Sequence, residues 1–224
     1  MPAERRPIAA RHSRWANACS AWLSSRRVAP NAISIGGALA AIAAGLAFSL
    51  TGRGLPIDRA LWLAGAALVV VRLLANMLDG MVALRSSRAS PLGELFNEVP
   101  DRVSDLAVLV GLGYGAAGNP TLGWLAAIIA IFVAYARTAA SHAGAPADFR
   151  GPMAKQQRMA VVIAAAVAMA IAPSAWQQAG GVGLPGIGLA VISAGGIATA
   201  IRRLVRAGVL LGRAAATARL PEDY

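Results

Sequence analysis

The chain has 224 residues, 57% of them hydrophobic and 14% charged, with 21 Lys and Arg against 10 Asp and Glu for a formal net charge of +11. A soluble domain usually carries about a quarter charged residues, and one small soluble core has no room for several wholly apolar helices. The positive charge sits at the ends of apolar runs rather than over one face, which argues for lipid headgroups and topology selection and against a nucleic-acid partner.

Residues 1–30 are basic and polar, with Arg5, Arg6, Arg11, Arg14, Arg26 and Arg27. Within them Trp15, Ala18, Trp22 and Leu23 recur at helical spacing, which predicts an amphipathic helix in the membrane interface; a solvated tail is the plainer reading. No small-residue cleavage pattern precedes the first apolar run, so no cleaved signal peptide is expected. Cys19 is the sole cysteine, and no internal disulfide is available.

Six apolar stretches follow, each near the roughly 20 residues that a bilayer core requires. They are Ile33 to Leu50, about Leu61 to Leu84, about Leu92 to Tyr114, Leu122 to Ala140, about Met159 to Pro173 and about Val182 to Ile201. The fifth is short and extends backward through Gln157 if it is to span. Connections on one side hold Arg85 and Arg88, then Arg137, Arg150, Lys155 and Arg158, then Arg202, Arg203, Arg206 and Arg213, whereas the other side carries few basic residues. The positive-inside rule then predicts a multi-pass protein of the plasma (inner) membrane with both termini cytoplasmic. The expected fold is all-α and integral to the membrane: six transmembrane helices preceded by an interfacial amphipathic helix. The domains read as an interfacial segment 1–30, a six-span domain 31–206 and a cytoplasmic tail 207–224.

Polar residues gather at two adjacent span ends. Asn76, Asp79 and Ala83 lie at i, i+3 and i+7 and share a helix face; Glu94, Asn97, Asp101 and Asp105 share another. A tight hairpin through the loop Arg85–Pro91 is expected to bring the faces together. Acids within a span are costly and mark a functional site by default. Carboxylate and amide oxygens are hard ligands for Mg²⁺ or Mn²⁺, and Gly80 and Gly93 leave room for a nucleotide or phosphate. The plain alternative is structural ion pairing, Arg72 with Asp79 or Arg102 with Asp105.

The run Asn76-x-x-Asp79-Gly80-x-x-Ala83, then Gly93-x-x-x-Asn97-x-x-x-Asp101, resembles the signature of the CDP-alcohol phosphotransferase (CDP-alcohol phosphatidyltransferase) family. The segment Val28-Ala-Pro30-Asn31-Ala-Ile-Ser34 is similar to that family's N-terminal pattern. Two departures stand out: Asn76 and Asn97 occupy the first and third acidic positions of a four-acid pattern. In addition, Leu84 replaces the family's arginine, with Arg85 one step on.

The resemblance implies transfer of a phospho-alcohol unit, such as the phosphatidyl group of CDP-diacylglycerol or the unit of another CDP-alcohol, to a hydroxyl acceptor with release of CMP. It implies Asp101 as general base and metal ligand, with Asp79, Asn76 and Asn97 holding one or two Mg²⁺ or Mn²⁺ ions. Glu94, Glu98 or Asp105 would supply the missing charge, with Glu94, three residues before Asn97 on the same face, favoured as a substitute ligand. Gly80, Ala83, Gly93 and Arg85 would line the nucleotide and pyrophosphate. Arg137, Lys155 and Arg158 would grip an alcohol or polyol-phosphate acceptor, or simply touch anionic lipid. It also implies a homodimer among membrane lipids. Two other readings stay open: a catalytically impaired lipid- or nucleotide-binding protein, and a small ion-coupled transporter. The second suffers because its acids sit near one membrane face rather than the midplane.

Overall fold

The structure, a computed structural model, describes residues 13–53, 57–85, 91–179 and 182–217; at 91–94, 96, 97, 175, 179, 215 and 217 it describes the backbone alone. Seven α-helices account for most of these residues: α1 (Arg14–Ser25), α2 (Pro30–Leu50), α3 (Asp58–Arg85), α4 (Pro91–Tyr114), α5 (Pro120–His142), α6 (Lys155–Ile171) and α7 (Leu184–Thr217). A 3-10 turn, Ser174–Trp176, and a two-residue antiparallel pair, β1 (Gln178–Ala179) with β2 (Val182–Gly183), join α6 to α7.

Local chemistry sets the boundaries. Arg27 takes a left-handed conformation (φ 55°) after α1, and Arg27 N donates to Ser24 O and Val28 N to Leu23 O, which closes the orphan carbonyls of the last turn. Pro30 then opens α2, where its missing N–H costs nothing. Asn119 caps α5 by accepting from Leu122 N at 3.0 Å, with Pro120 in the first turn.

By length and composition, α2, α3, α5 and α7 are apolar enough to cross a membrane. The other two helices in the expected set fall short for visible reasons. α6 has 17 residues, about 25 Å at the α-helical rise, and α4 carries Glu94, Glu98, Asp101 and Arg102 in its first half and Asp105 just past its midpoint. Helix α6 begins at Lys155, extending the fifth apolar run backward as its length requires. Helix α7 runs on to Thr217, so the position taken as the start of the tail falls inside a continuous helix.

Helix α2 lies between α3 and α4 and packs extensively on both. Its buried face is Ser34, Gly37, Ala38, Ala41, Ala44, Gly45, Ala47 and Phe48, nearly all small, and such a face lets neighbouring backbones approach closely in lipid. Both α3 and α4 pack along it, while α3 and α4 touch each other only sparsely. The expected tight hairpin of α3 and α4 is therefore corrected: the two converge at one end because each packs on α2. Helix α6 packs on α3, α7 on α5, and α1 on α3, where Ala16 meets Met77 and Met81. Further along, Phe48 and Trp62 stack with ring centroids 5.4 Å apart.

The α2–α4 crossing is the closest approach. A Cβ on Gly111 would meet the Gly45 backbone, and one on Gly45 would meet the Ala107 carbonyl. Gly45→Ala and Gly111→Ala are each expected to lose about 1–3 kcal/mol by forced separation of the helices. Gly208→Ala, with nothing within 4 Å of the new methyl, is expected to be neutral or to gain several tenths of a kcal/mol from helix propensity. Thermal denaturation in detergent checks this; an unchanged midpoint for Gly111→Ala sinks the close-contact account.

Candidate functional site

Helix α3 presents Arg72, Asn76 and Asp79 on one face at i, i+4 and i+7. Helix α4 presents Asp101 and Asp105 at i and i+4, and α6 opens with Lys155 and Arg158. These side chains meet where the three helices converge. Asp101 Oδ1 accepts from three groups: Arg72 Nη2, Asn76 Nδ2 at 3.1 Å and Lys155 Nζ. Its second oxygen, Oδ2, lies 3.8 Å from Arg102 Nη2. Asp79 accepts from Ser34 Oγ of α2 through Oδ2, at 2.6 Å. Deeper in, Arg158 Nη2 donates to Asp105 Oδ2 at 2.6 Å.

Burial makes these contacts consequential. Arg72, Asp79, Asp101, Asp105 and Arg158 are all buried, and an unpaired charge there costs several kcal/mol; Arg72 pairs with Asp101 and Arg158 with Asp105, while Asp79 is held by the Ser34 hydroxyl. The expected pairings of Arg72 with Asp79 and of Arg102 with Asp105 are both corrected. Arg72 reaches across to Asp101, Asp105 is taken by Arg158, and Arg102 lies beside Glu98 and Asp101. Helix α6 packs on α3, and from there Lys155 and Arg158 reach the acids of α4.

A second cluster lies alongside. Glu98 accepts from Arg137 of α5 and, at 3.3 Å, from Arg102. The Arg137 guanidinium also covers the Phe149 ring at 5.0 Å. All three basic residues assigned to the acceptor thus hold acids of α4: Arg137 on Glu98, Lys155 on Asp101 and Arg158 on Asp105. Arg85 lies at the far end of α3, where it donates to Asn17 Oδ1 of α1 at 3.0 Å. Gly80 and Ala83 are half-buried on α3. Gly93, Glu94 and Asn97 fall in the first turns of α4, and their side chains lie outside the described residues.

Two contributors have weak signals in the sequence. Ser34 stands near the start of α2, 45 residues from the Asp79 it contacts. Arg72 interrupts a run of Leu and Val, and a charge there demands a partner, but the sequence does not say which.

The donor chemistry suits a hard divalent ion: two carboxylates, Asp79 and Asp101, and the amide oxygen of Asn76, which stays available because Asn76 uses its nitrogen toward Asp101. Among the described residues, no three His, Cys, Asp or Glu side chains form a metal-binding group.

Residues 27–201 match the model of a family described as CDP-alcohol phosphatidyltransferase. Inner membrane protein YnbA of Escherichia coli is 27% identical over 157 residues, 70% of this chain and 75% of the relative. Among solved structures, phosphatidylinositol phosphate synthase (PgsA1) of Mycobacterium tuberculosis with CDP-DAG bound aligns at a TM-score of 0.70 and 20% identity, over 87% of this chain and 94% of the other. The same enzyme in complex with manganese and citrate aligns at 0.70 and 21%, over 86% and 88%. At this identity the likeness is one of fold.

Proposed function

Since the chain belongs to the CDP-alcohol phosphatidyltransferase family, we propose that it transfers the phosphatidyl group of CDP-diacylglycerol to a hydroxyl acceptor, releasing CMP, in phospholipid biosynthesis. The observation that carries this reading is the convergence of Asp79, Asn76 and Asp101 at one end of the bundle, where Asp79 and Asp101 resemble acids of the family's signature and Asn76 stands at an acidic position of it. The solved relative that binds CDP-DAG has the same fold and supports CDP-diacylglycerol as donor.

In this reading the acceptor hydroxyl attacks the β-phosphorus. Its proton passes to Asp101 Oδ2, the oxygen not bonded by Arg72, Asn76 and Lys155. The new acceptor O–P bond forms as the bond between the β-phosphorus and the bridging oxygen breaks, and CMP leaves with that oxygen. Asp79, Asp101 and Asn76 would hold a Mg²⁺ or Mn²⁺ ion, with Asn97 and Glu94 as further candidates. Such an ion neutralises charge developing on the pyrophosphate. Ser34 fixes the Asp79 carboxylate from the side. Gly80, Ala83 and Gly93 line the nucleotide, with Arg85 nearby, and Arg137 and Arg158 face an acceptor phosphate once one displaces their carboxylate partners, while Lys155 stays on Asp101.

The setting is a multi-pass protein of the inner membrane, supported by the apolar helices and by the relative of that name. Six spans, an interfacial α1, a membrane domain 31–206 with a tail 207–224, cytoplasmic termini and a dimer complete the proposal. Asn76 and Asn97 at two acidic signature positions favour one second reading: a member that binds lipid or nucleotide without turnover.

Purified protein given labelled CDP-diacylglycerol, Mn²⁺ and a panel of alcohols and polyol phosphates decides between them. The expected result is CMP release that needs both an acceptor and the metal and stops on chelation. Silence with every acceptor would leave the binding role.

A further inference from the structure

We propose that the site takes a single divalent ion, and that Arg72 and Lys155 permanently supply the positive charge a second ion would bring. The inference rests on the phosphatidyl-transfer reading and deepens it. Two cations from different helices, α3 and α6, converge on the same oxygen, Asp101 Oδ1. Arg72 is 2% exposed, and its place is built into the fold. A Cβ on Gly37 of α2 would come within 2.8 Å of Arg72 Nη1 and 2.7 Å of Ala75 Cβ, so the glycine keeps the guanidinium's space open. Arg72 Nε and Nη1 are buried without a hydrogen-bond partner among the described residues. A buried donor left that way is expensive unless an anion completes it.

The charge count selects one ion. Asp79 and Asp101 bring two negative charges, Arg72 and Lys155 two positive ones, the neighbouring Asp105 and Arg158 cancel each other, and alongside Glu98 is outnumbered by Arg102 and Arg137, so that cluster adds no negative charge. A pyrophosphate diester adds two negative charges, which one divalent ion neutralises. A second ion would leave two uncompensated positive charges in a buried site, and that is costly. Asn76 and Asn97 fit the same arithmetic: with aspartate at both positions the site would be two charges more negative and would call for the second ion. Lys155 then acts on the pyrophosphate side as a resident point charge and not on the acceptor.

Mn²⁺ titration of the purified protein in detergent, followed by electron paramagnetic resonance with CDP-diacylglycerol present and no acceptor, counts the ions directly. One Mn²⁺ per chain is expected in the wild type, and two in the variant carrying Asn76→Asp and Asn97→Asp. In Lys155→Met, where Arg72 and Asn76 still hold Asp101, Mn²⁺ is expected to bind at least tenfold more tightly, because a competing cation is gone. Two ions in the wild type overturn the inference and leave the transfer reading standing. No bound ion overturns both. A Lys155→Met protein that is less stable to heat but binds Mn²⁺ with wild-type affinity also overturns it, since a purely structural ion pair behaves that way.

Discussion

Asp101→Asn is expected to slow CMP release by about 10²–10⁴-fold, the range for loss of a positioned general base. The substitution keeps size and shape but removes the oxygen that takes the acceptor's proton. It also alters the ion balance, since Arg72 and Lys155 both donate to Asp101. Removing one partner of a buried charge cluster costs about 3–5 kcal/mol; the amide oxygen of asparagine still accepts from both cations, so the loss of stability should lie below that range. Two measurements separate the base from the anchor. If Asp101 is the base, kcat collapses in a protein that still binds CDP-diacylglycerol and melts within several degrees of the wild type. If Asp101 only anchors Arg72 and Lys155, the melting midpoint falls while the folded fraction keeps its kcat. Wild-type turnover in Asp101→Asn would end its assignment as base.

Much of this was written in the sequence in a form that helix geometry makes readable. The spacing of Asn76, Asp79 and Ala83 and that of Asp101 and Asp105 placed each set on one face, and α3 and α4 carry them so. The apolar runs mark helices whose ends fall within a few residues of prolines and a capping asparagine, Pro30, Asn119 and Pro120, because those residues act locally. What lay beyond reach was which helix meets which. Periodicity names the buried face of a helix and not its partner, so α3 and α4 read as a hairpin although both pack on α2. The small residues of α2, with Gly45 against Gly111, were the available sign of a helix packed closely on its neighbours. The basic residues had the same ambiguity. Lys155 and Arg158 look like any positive charges at a cytoplasmic span end, and only the folded arrangement, with α6 on α3, shows each one bonded to a carboxylate of α4.

Arg158 is where two readings of one residue give opposite results. As a grip for an acceptor phosphate, its loss would raise KM for a phosphate-bearing acceptor and leave the fold intact. As the counterion of Asp105, its loss would strand a carboxylate that is 1% exposed. Asp105 Oδ1 is already buried without a hydrogen-bond partner among the described residues. We therefore expect Arg158→Met to lose about 3–5 kcal/mol of stability, the cost of breaking one side of a buried pair. The double variant Arg158→Met with Asp105→Leu should recover most of it, because an apolar replacement of both partners removes the desolvation cost together with the attraction. Thermal denaturation in detergent of the two single variants and the double variant gives the coupling directly. Recovery in the double variant assigns Arg158 to the α4–α6 contact and narrows the acceptor side to Arg137. A single variant of wild-type stability with a raised KM returns Arg158 to the acceptor.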